Sequence, residues 1–314
     1  MKRKTGVYVG EEFESYYFGT DHPFGPDRFP AFTQEFFRRK LNERTKVFSP
    51  VLGTEEQLEI FQTNKYIKFV KTLSKQGYGD LDRGGDTPVM KGIFEAALYV
   101  TGSVIDASER IMSGQIRNAF LPVGGLHHAR RDRAAGFCVF NDIGIVVERL
   151  KKYHGLKRIA YIDIDAHHGD GVYYEYEDDP SLIIADIHED GRSLYPGTGF
   201  ETEIGTGNSI GKKMNFPMPA KSDDRAFQKK WHAAEEFIRE SKPEFIILQC
   251  GADSLKGDPL THMSLTEKSH GMAAKSLKSI ADQYCEGRML ALGGGGYNLS
   301  NIARAWNSVV ENMI

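Results

Sequence analysis

Cysteine is scarce in this sequence: Cys138, Cys250 and Cys285 are the only three among 314 residues. They are odd in number and far apart, which argues against a disulfide scaffold or a zinc ribbon and suits a reducing compartment. Long apolar runs are missing too, and nothing approaches the roughly eighteen consecutive apolar residues a membrane-spanning helix needs. Neither sign of charge dominates, since 40 Lys and Arg face 43 Asp and Glu for a formal charge of -3. No basic block stands out beyond Lys2, Arg3 and Lys4, so charge gives no reason to expect a nucleic-acid partner. Those basic residues meet Glu11 and Glu12 before any apolar run, which is not the pattern of a signal peptide. The expectation is a cytoplasmic protein with no membrane attachment.

What is present suffices for a large core: 40% of residues are hydrophobic and 26% charged, which excludes disorder, collagen and coiled coil. Short apolar runs alternate with stretches of helical period, the pattern of a mainly parallel sheet covered by helices. Strands are predicted at 6–9, 118–121, 158–162, 182–185, 245–248 and 289–292, and helices at 89–113, 141–154, 223–241, 266–286 and 299–312. No internal repeat or low-complexity linker interrupts them, so a single α/β domain over 1–314 is expected.

Ligands of open parallel sheets bind beyond the carboxyl ends of the strands. Here those positions are polar: His127 and His128 follow one strand, and Asp163, Asp165, His167, His168 and Asp170 another. Asp186 and His188, then Asp253, then Tyr297 follow three more. In DIDAHHGDG, Asp163, Asp165 and His167 recur at every second residue, so an extended backbone turns all three to one side. A single Asp there would be explained by solvation of a loop; three on one side make a metal-ligand pattern. A catalytic zinc centre commonly takes three protein ligands and leaves a position for water. Asp253, after another strand, can supply the third. An Asp, His, Asp set is rich in oxygen, so ferrous iron or manganese competes with zinc.

A hydrolytic site also needs a base and an oxyanion donor. His127 and His128 are candidates for the base, each orientable by a carboxylate, with Asp163 and Asp170 available. Tyr297 follows the four glycines Gly293, Gly294, Gly295 and Gly296, whose freedom lets a tight turn carry the phenol into a cleft. Other motifs fail. GNSIG at 207–211 lacks the strand and helix of a nucleophile elbow. Thr206 stands where a phosphate-binding loop needs glycine, Asn298 where a dinucleotide fingerprint does, and HExxH is absent. Cys138 has no nucleophile–base signature and reads as a buried thiol.

With these residues in view, GGLHHARRDRAAGFCVFND, YIDIDAHHGDG, YPGTG, GADSLKGDPL and LGGGGYN, in that order over 124–298, resemble the zinc-dependent histone deacetylase family of the arginase and deacetylase fold. The likeness is to class I-like members and to the bacterial acetoin-utilisation deacetylases. HPFGPDR at 22–28 and Asp86 extend it over most of the chain. The resemblance implies a single domain with a mainly parallel eight-stranded sheet and a Zn2+ held by Asp165, His167 and Asp253, with Fe2+ as the alternative. It makes His128 the general base and then acid, His127 its electrostatic aid, and Tyr297 the donor to the substrate carbonyl. Gly136, Phe137 and Tyr195 would shape a narrow tunnel for an acyl-lysine-like chain. Asp86 would grip substrate backbone amides at the rim, and Arg28 would lie by an internal cavity where acetate leaves. Leu260 falls at the tunnel mouth, where polyamine-specific members place a Glu. One departure stands out: before an aliphatic residue and His the family usually has a small hydroxyl residue, by a monovalent-cation (K+) site, whereas this chain has Asp186 before Ile187 and His188, and the extra carboxylate changes that site's ligand set.

The expected function is removal of acetyl or another short acyl group from acyl-lysine peptides or proteins, or from small acyl-amines such as acetylpolyamines. One alternative is a binuclear manganese ureohydrolase, with Asp163, Asp165, His167 and Asp170 bridging two metals and Asp258 adding a ligand. The other is a non-catalytic acyl-chain binding protein. Metal counting separates the first, and turnover of an acetyl-lysine peptide the second.

Overall fold

A computed structural model describes residues 4–314; Lys2 and Arg3 of the basic cluster lie outside the described residues. Eight strands form one sheet: β1 (Gly6–Tyr8), β2 (Lys46–Phe48), β3 (Asn118–Leu121), β4 (Ile159–Asp163), β5 (Leu182–Glu189), β6 (Lys213–Met218), β7 (Phe245–Gln249) and β8 (Met289–Leu292). Their order is β2-β1-β3-β8-β7-β4-β5-β6 and every pairing is parallel. The mainly parallel expectation thus becomes an all-parallel sheet.

Successive residues of a strand face opposite sides, and in a sheet covered on both sides both sets must be apolar. Tyr161 of β4, Ile247 of β7 and Leu290 of β8 enter one buried cluster. Their neighbours Ile162, Ile246 and Ala291 enter the other. The helices are α1 (Arg28–Arg38), α2 (Leu41–Arg44), α3 (Glu55–Leu58), α4 (Asn64–Gln76), α5 (Ile93–Met112), α6 (Asp142–His154), α7 (Asp170–Glu175), α8 (Asp224–Ser241), α9 (Glu267–Tyr284) and α10 (Leu299–Met313). Helices α4 to α7 supply the first cluster, and α1, α8, α9 and α10 most of the second. Among the described residues, no helix is long and apolar enough to cross a membrane.

Helix starts follow capping chemistry. Asn141, Asp223 and Thr266, where the sequence reading began three helices, are their N-caps, with side chains that accept backbone N–H groups of the first turn. Seven further elements escaped the sequence reading: β2, β6, α1, the short helices α2, α3 and α7, and the 13-residue α4. Strand β2 is three residues long, and β6 opens on Lys213 and contains Pro217, which an edge strand tolerates. Helix α1 has Pro30 in its first turn, an allowed position, while Phe32 and Phe36 repeat at helical spacing behind it. Strand β5 also runs past the expected end at 185, to Glu189, so Asp186 and His188 lie inside a strand rather than after it. They are tolerated in the buried sheet because they hydrogen-bond each other, with His188 Nδ1 2.6 Å from Asp186 Oδ1.

An all-parallel sheet sends every strand's carboxyl end to one edge. The neighbours β3, β8, β7 and β4 therefore deliver their following loops to one place. Those loops carry His127 and His128, Tyr297, Asp253, and the segment from Ile164 to Gly169.

Candidate active site

At the end of β4 the backbone leaves the extended form and the expected row of three splits. Asp165 and His167 turn toward Asp253, and one ligand atom from each lies within 4.8 Å of the others. Asp163 turns elsewhere: Oδ2 lies 2.7 Å from His127 Nδ1 and also accepts the Tyr161 hydroxyl, while Oδ1 accepts the Asp165 N–H at 3.0 Å. It holds a histidine in place of a metal. This corrects the same-side reading, because the strand ends at Asp163 and alternation stops with it.

Neighbouring groups aim the three donors. Asp165 Oδ2 accepts from Gln249 Nε2 at 2.8 Å and Gly295 N at 2.9 Å, and Asp253 Oδ1 accepts from Ala166 N at 2.9 Å. His167 Nδ1 faces Asp165 Oδ1 at 3.0 Å and Asp253 Oδ2 at 3.2 Å. Two buried carboxylates and one imidazole nitrogen converging at such distances need a shared positive charge, and the donor set fits one divalent metal. The loop after β7 is glycine at 251 because a Cβ there would stand 1.9 Å from Asp165 Oδ2. We expect Gly251→Ala to displace Asp165 and weaken metal binding by roughly 10- to 100-fold, the usual effect of disturbing a group that orients a ligand. A metal titration of the purified variant checks this; wild-type affinity would show that the loop gives way without moving Asp165.

The paired histidines are buried side by side, ring centroids 4.1 Å apart. Burial disfavours charge on His127, but Asp163, with Asp165 behind it, outweighs that and raises its pKa to about 9. His128 goes the other way. Burial and the charge of His127 push it down to about 4, although its Nδ1 lies 2.6 Å from Asp170 Oδ1. Asp170 keeps its own charge partner in Arg130, at 3.1 Å. The pair therefore divides into one imidazolium and one neutral imidazole, the arrangement in which one holds charge and the other exchanges a proton. Asp142, unremarked in the sequence reading, fixes the turn before them by accepting Gly125 N at 2.8 Å and Leu126 N at 2.7 Å.

A cavity of about 250 Å3 reaches these groups, lined by His127, His128, Gly136, Phe137, Asp165, His167, Tyr195, Leu260, Tyr297 and Asp86 among others. Gly136 has φ +52°, and a Cβ there would press on the His128 ring at 2.5 Å. Phe137 also has positive φ, +65°, strained for a bulky residue. The strain is held by Thr87 Oγ1, which accepts Phe137 N at 3.1 Å, and by the Tyr16 hydroxyl, which donates to Phe137 O at 3.0 Å. Its ring meets that of Tyr297 edge-on at 5.7 Å, and the Tyr195 ring meets that of His128 at 5.1 Å. Burial keeps the Tyr297 phenol well above its ordinary pKa, hence protonated. Asp258 accepts Tyr297 N at 2.8 Å and Leu260 N at 3.0 Å, so it anchors both loops. At the rim, burial and the adjacent Asp82 raise Asp86 to about 6.

Arg28 does not line this cavity. It lies behind the glycine turn, donating to Gly296 O at 2.8 Å and Gly294 O at 2.6 Å, with its guanidinium over the Phe24 ring. Gln249 is the main residue the sequence reading missed. Besides Asp165 it reaches Gly125 O at 3.3 Å and accepts Gly251 N at 2.8 Å, tying three loops together. A polar residue closing the apolar run FIIL was its only sequence signal.

Residues 22–313 match the family profile described as the histone deacetylase domain. The chain belongs to the histone deacetylase family. It is 37% identical over 316 residues to the acetoin utilization protein AcuC of Bacillus subtilis, which covers 98% of this chain and 81% of that protein. It is 32% identical over 313 residues to histone deacetylase 1 of Bos taurus, covering 97% of this chain but only 63% of that longer protein. The crystal structure of the HDA15 HD domain superposes with a TM-score of 0.91 at 26% identity, covering 99% of this chain and 88% of that one. Histone deacetylases are metal-dependent hydrolases, and the group Asp165, His167 and Asp253 is a candidate metal site of this member.

The monovalent cation expected beside Asp186 meets a different situation. Both oxygens of Asp186 are engaged, Oδ1 with His188 Nδ1 at 2.6 Å and Oδ2 with Gly169 N at 2.9 Å. A further cation would stand against an imidazole already donating to that carboxylate, so these side chains do not fit one.

Proposed function

We propose that this chain is a metal-dependent deacylase that hydrolyses the amide of an acyl-lysine-like side chain, releasing acetate or another short acid. The observation that carries the reading is the opening of one narrow cavity onto the Asp165, His167 and Asp253 donors, the carboxylate-held His127 and His128, and the Tyr297 phenol. A divalent metal on those donors, zinc or ferrous iron, supplies Lewis-acid polarisation of the acyl oxygen and the attacking water. His128, neutral and fixed through Nδ1 by Asp170, accepts the water's proton and delivers it to the departing amine. His127, held as an imidazolium by Asp163, contributes positive charge beside the reacting centre. Tyr297 donates its hydroxyl to the oxygen that gains charge as the carbonyl becomes tetrahedral. Phe137 and Tyr195 confine the methylene stem and exclude water around it.

In the ureohydrolase alternative, Asp163, Asp170 and Asp258 serve a second metal. In this structure they are engaged with His127, His128 and the Tyr297 backbone instead. Among the described residues one group of three or more converging metal donors occurs. The proposal takes 1–314 as one catalytic domain of a cytoplasmic enzyme, in keeping with three buried free thiols.

A peptide substrate is favoured over a polyamine by two features of the mouth. The cavity adjoins, through Asp86 and Tyr195, a groove of about 840 Å3 lined in part by Tyr66, Phe69 and Leu81, with room for residues flanking the acyl-lysine. Leu260 offers no charge to a distal ammonium. An exposed charge pair is worth up to about 1 kcal/mol, and more when partly desolvated. We expect acyl-lysine peptides to be turned over better than acetylspermidine-like amines, and Leu260→Glu to shift the ratio of specificity constants several-fold toward the polyamine. Steady-state kinetics on both classes test the reading; a wild-type preference for acetylpolyamines would assign selectivity to other rim residues, Asp86 first.

A further inference from the structure

Two buried basic side chains lie behind the candidate site with no part in the proposed reaction. Lys213 opens the edge strand β6, yet its side chain is fully buried. Among the described residues, no carboxylate is within ion-pair distance of it. Its side-chain nitrogen instead donates to two backbone carbonyls, Asp179 O at 2.9 Å in the turn between α7 and β5, and Leu182 O at the first residue of β5. The Asp179 carboxylate is committed elsewhere, to Lys151 at 2.5 Å and to Ser181. Burial lowers the affinity of Lys213 for its proton, which Asp179 and Asp178 partly restore. A lysine removed from water without an acidic partner is costly unless oxygen atoms replace its hydration. Converging backbone carbonyls are also the means by which proteins strip and hold a potassium ion.

The second, His188, lies on β5 four residues beyond Ile184, the residue that pairs in register with Lys213. His188 donates from Nδ1 to Asp186 Oδ1 and from Nε2 to Gly199 O at 2.8 Å. Both ring nitrogens face oxygen acceptors, Asp186 Oδ1 and Gly199 O, an arrangement satisfied by a ring that carries both protons. Asp186 pairs in register with Asp163, which holds His127, and Gly199 ends the loop that carries Tyr195. The imidazolium therefore links the strand behind the catalytic histidines to the tunnel wall. These observations concern the packing around the site and hold whatever the substrate.

We propose that Lys213 and His188 are tethered substitutes for free monovalent cations: the Lys213 ammonium occupies the carbonyls of Asp179 and Leu182, and the His188 imidazolium balances Asp186. This chain then needs no potassium ion for stability. A cation attached to the chain is not lost by dilution, and ordering it does not immobilise a free ion.

The test is thermal unfolding of the metal-loaded protein in potassium chloride and in choline chloride at equal ionic strength, with potassium content measured after dialysis into potassium-free buffer. We expect the two midpoints to coincide and potassium to be far below one equivalent. A midpoint raised by several degrees in potassium chloride, or one retained equivalent, overturns the proposal. Two variants at Lys213 probe the carbonyls directly. Lys213→Ala leaves them with space and no ammonium, so its midpoint should fall in choline and recover by a few degrees, saturably, with added potassium. Lys213→Met keeps the stem but not the charge and should fall without recovery. Equal, potassium-insensitive midpoints for both variants would count against a cation role. Asp186→Ser supplies a second arm: loss of the carboxylate frees His188 from its charge partner and should make stability potassium-responsive. An unresponsive Asp186→Ser protein would overturn the His188 half. Should the variants fail to fold, the wild-type comparison and potassium content still decide.

Discussion

His167→Ala and Asp253→Ala proteins should bind no stoichiometric divalent metal and should lose turnover by at least about a thousand-fold, since Lewis-acid stabilisation is worth several kcal/mol. The expectation follows from how the donors are held. Asp165, His167 and Asp253 come from two loops at adjacent strand ends and are fixed by Gln249, Gly295 and the Ala166 amide. No other His, Cys, Asp or Glu joins the group among the described residues, so no spare ligand replaces a lost one. A site reduced to two protein ligands falls below the three that catalytic zinc centres ordinarily keep. Asp253→Ala removes one of two crowded buried carboxylates from the metal-free protein, whereas His167→Ala leaves Asp165 and Asp253 without the imidazole they share, so the fold of each variant is checked by circular dichroism alongside its metal content. Metal analysis and single-turnover kinetics on one preparation check both halves. A His167→Ala enzyme with full activity would sink the ligand assignment.

Replacing Tyr297 by Phe should leave metal content unchanged and lower kcat by about a hundred- to a thousand-fold, the usual cost of one oxyanion donor. The substitution isolates the hydroxyl because everything else about the residue is held independently. Its backbone N–H is bound by Asp258, and its ring packs edge-on against Phe137 at 5.7 Å and Phe24 at 6.5 Å. Phenylalanine keeps these contacts. A donor that acts as charge develops should affect kcat with little change in KM. Unchanged kcat would remove the phenol from the mechanism and assign oxyanion stabilisation to His127 and the metal alone.

The sequence was most informative where the sheet does the positioning. Once runs such as FIIL and MLAL are taken as parallel strands, the residues after them must meet at one edge, and His127, His128, Asp165, His167, Asp253 and Tyr297 do line one cavity or its floor. Alternation failed just beyond β4. A period of two holds only while the backbone stays extended, and the chain bends after Asp163, so the first member of the apparent ligand row became the partner of His127. Tertiary bonds to loops were not legible either. Nothing local in the sequence says that Gln249 spans three loops or that Thr87 restrains Phe137 at positive φ, because both depend on segments more than 49 residues away in the chain. The polar end of β5 was hidden for a related reason: Asp186 reads as a strand terminator until His188 is seen to neutralise it.

The most direct test of the account is acetate release from a peptide bearing one Nε-acetyl-lysine, measured while the metal-free protein is titrated with zinc or ferrous iron. The account predicts no turnover without metal, a linear rise, and saturation at one equivalent of metal per chain, with urea formation from guanidino substrates absent throughout. Saturation only at two equivalents, or a fully loaded protein that binds the peptide and releases no acid, would contradict it.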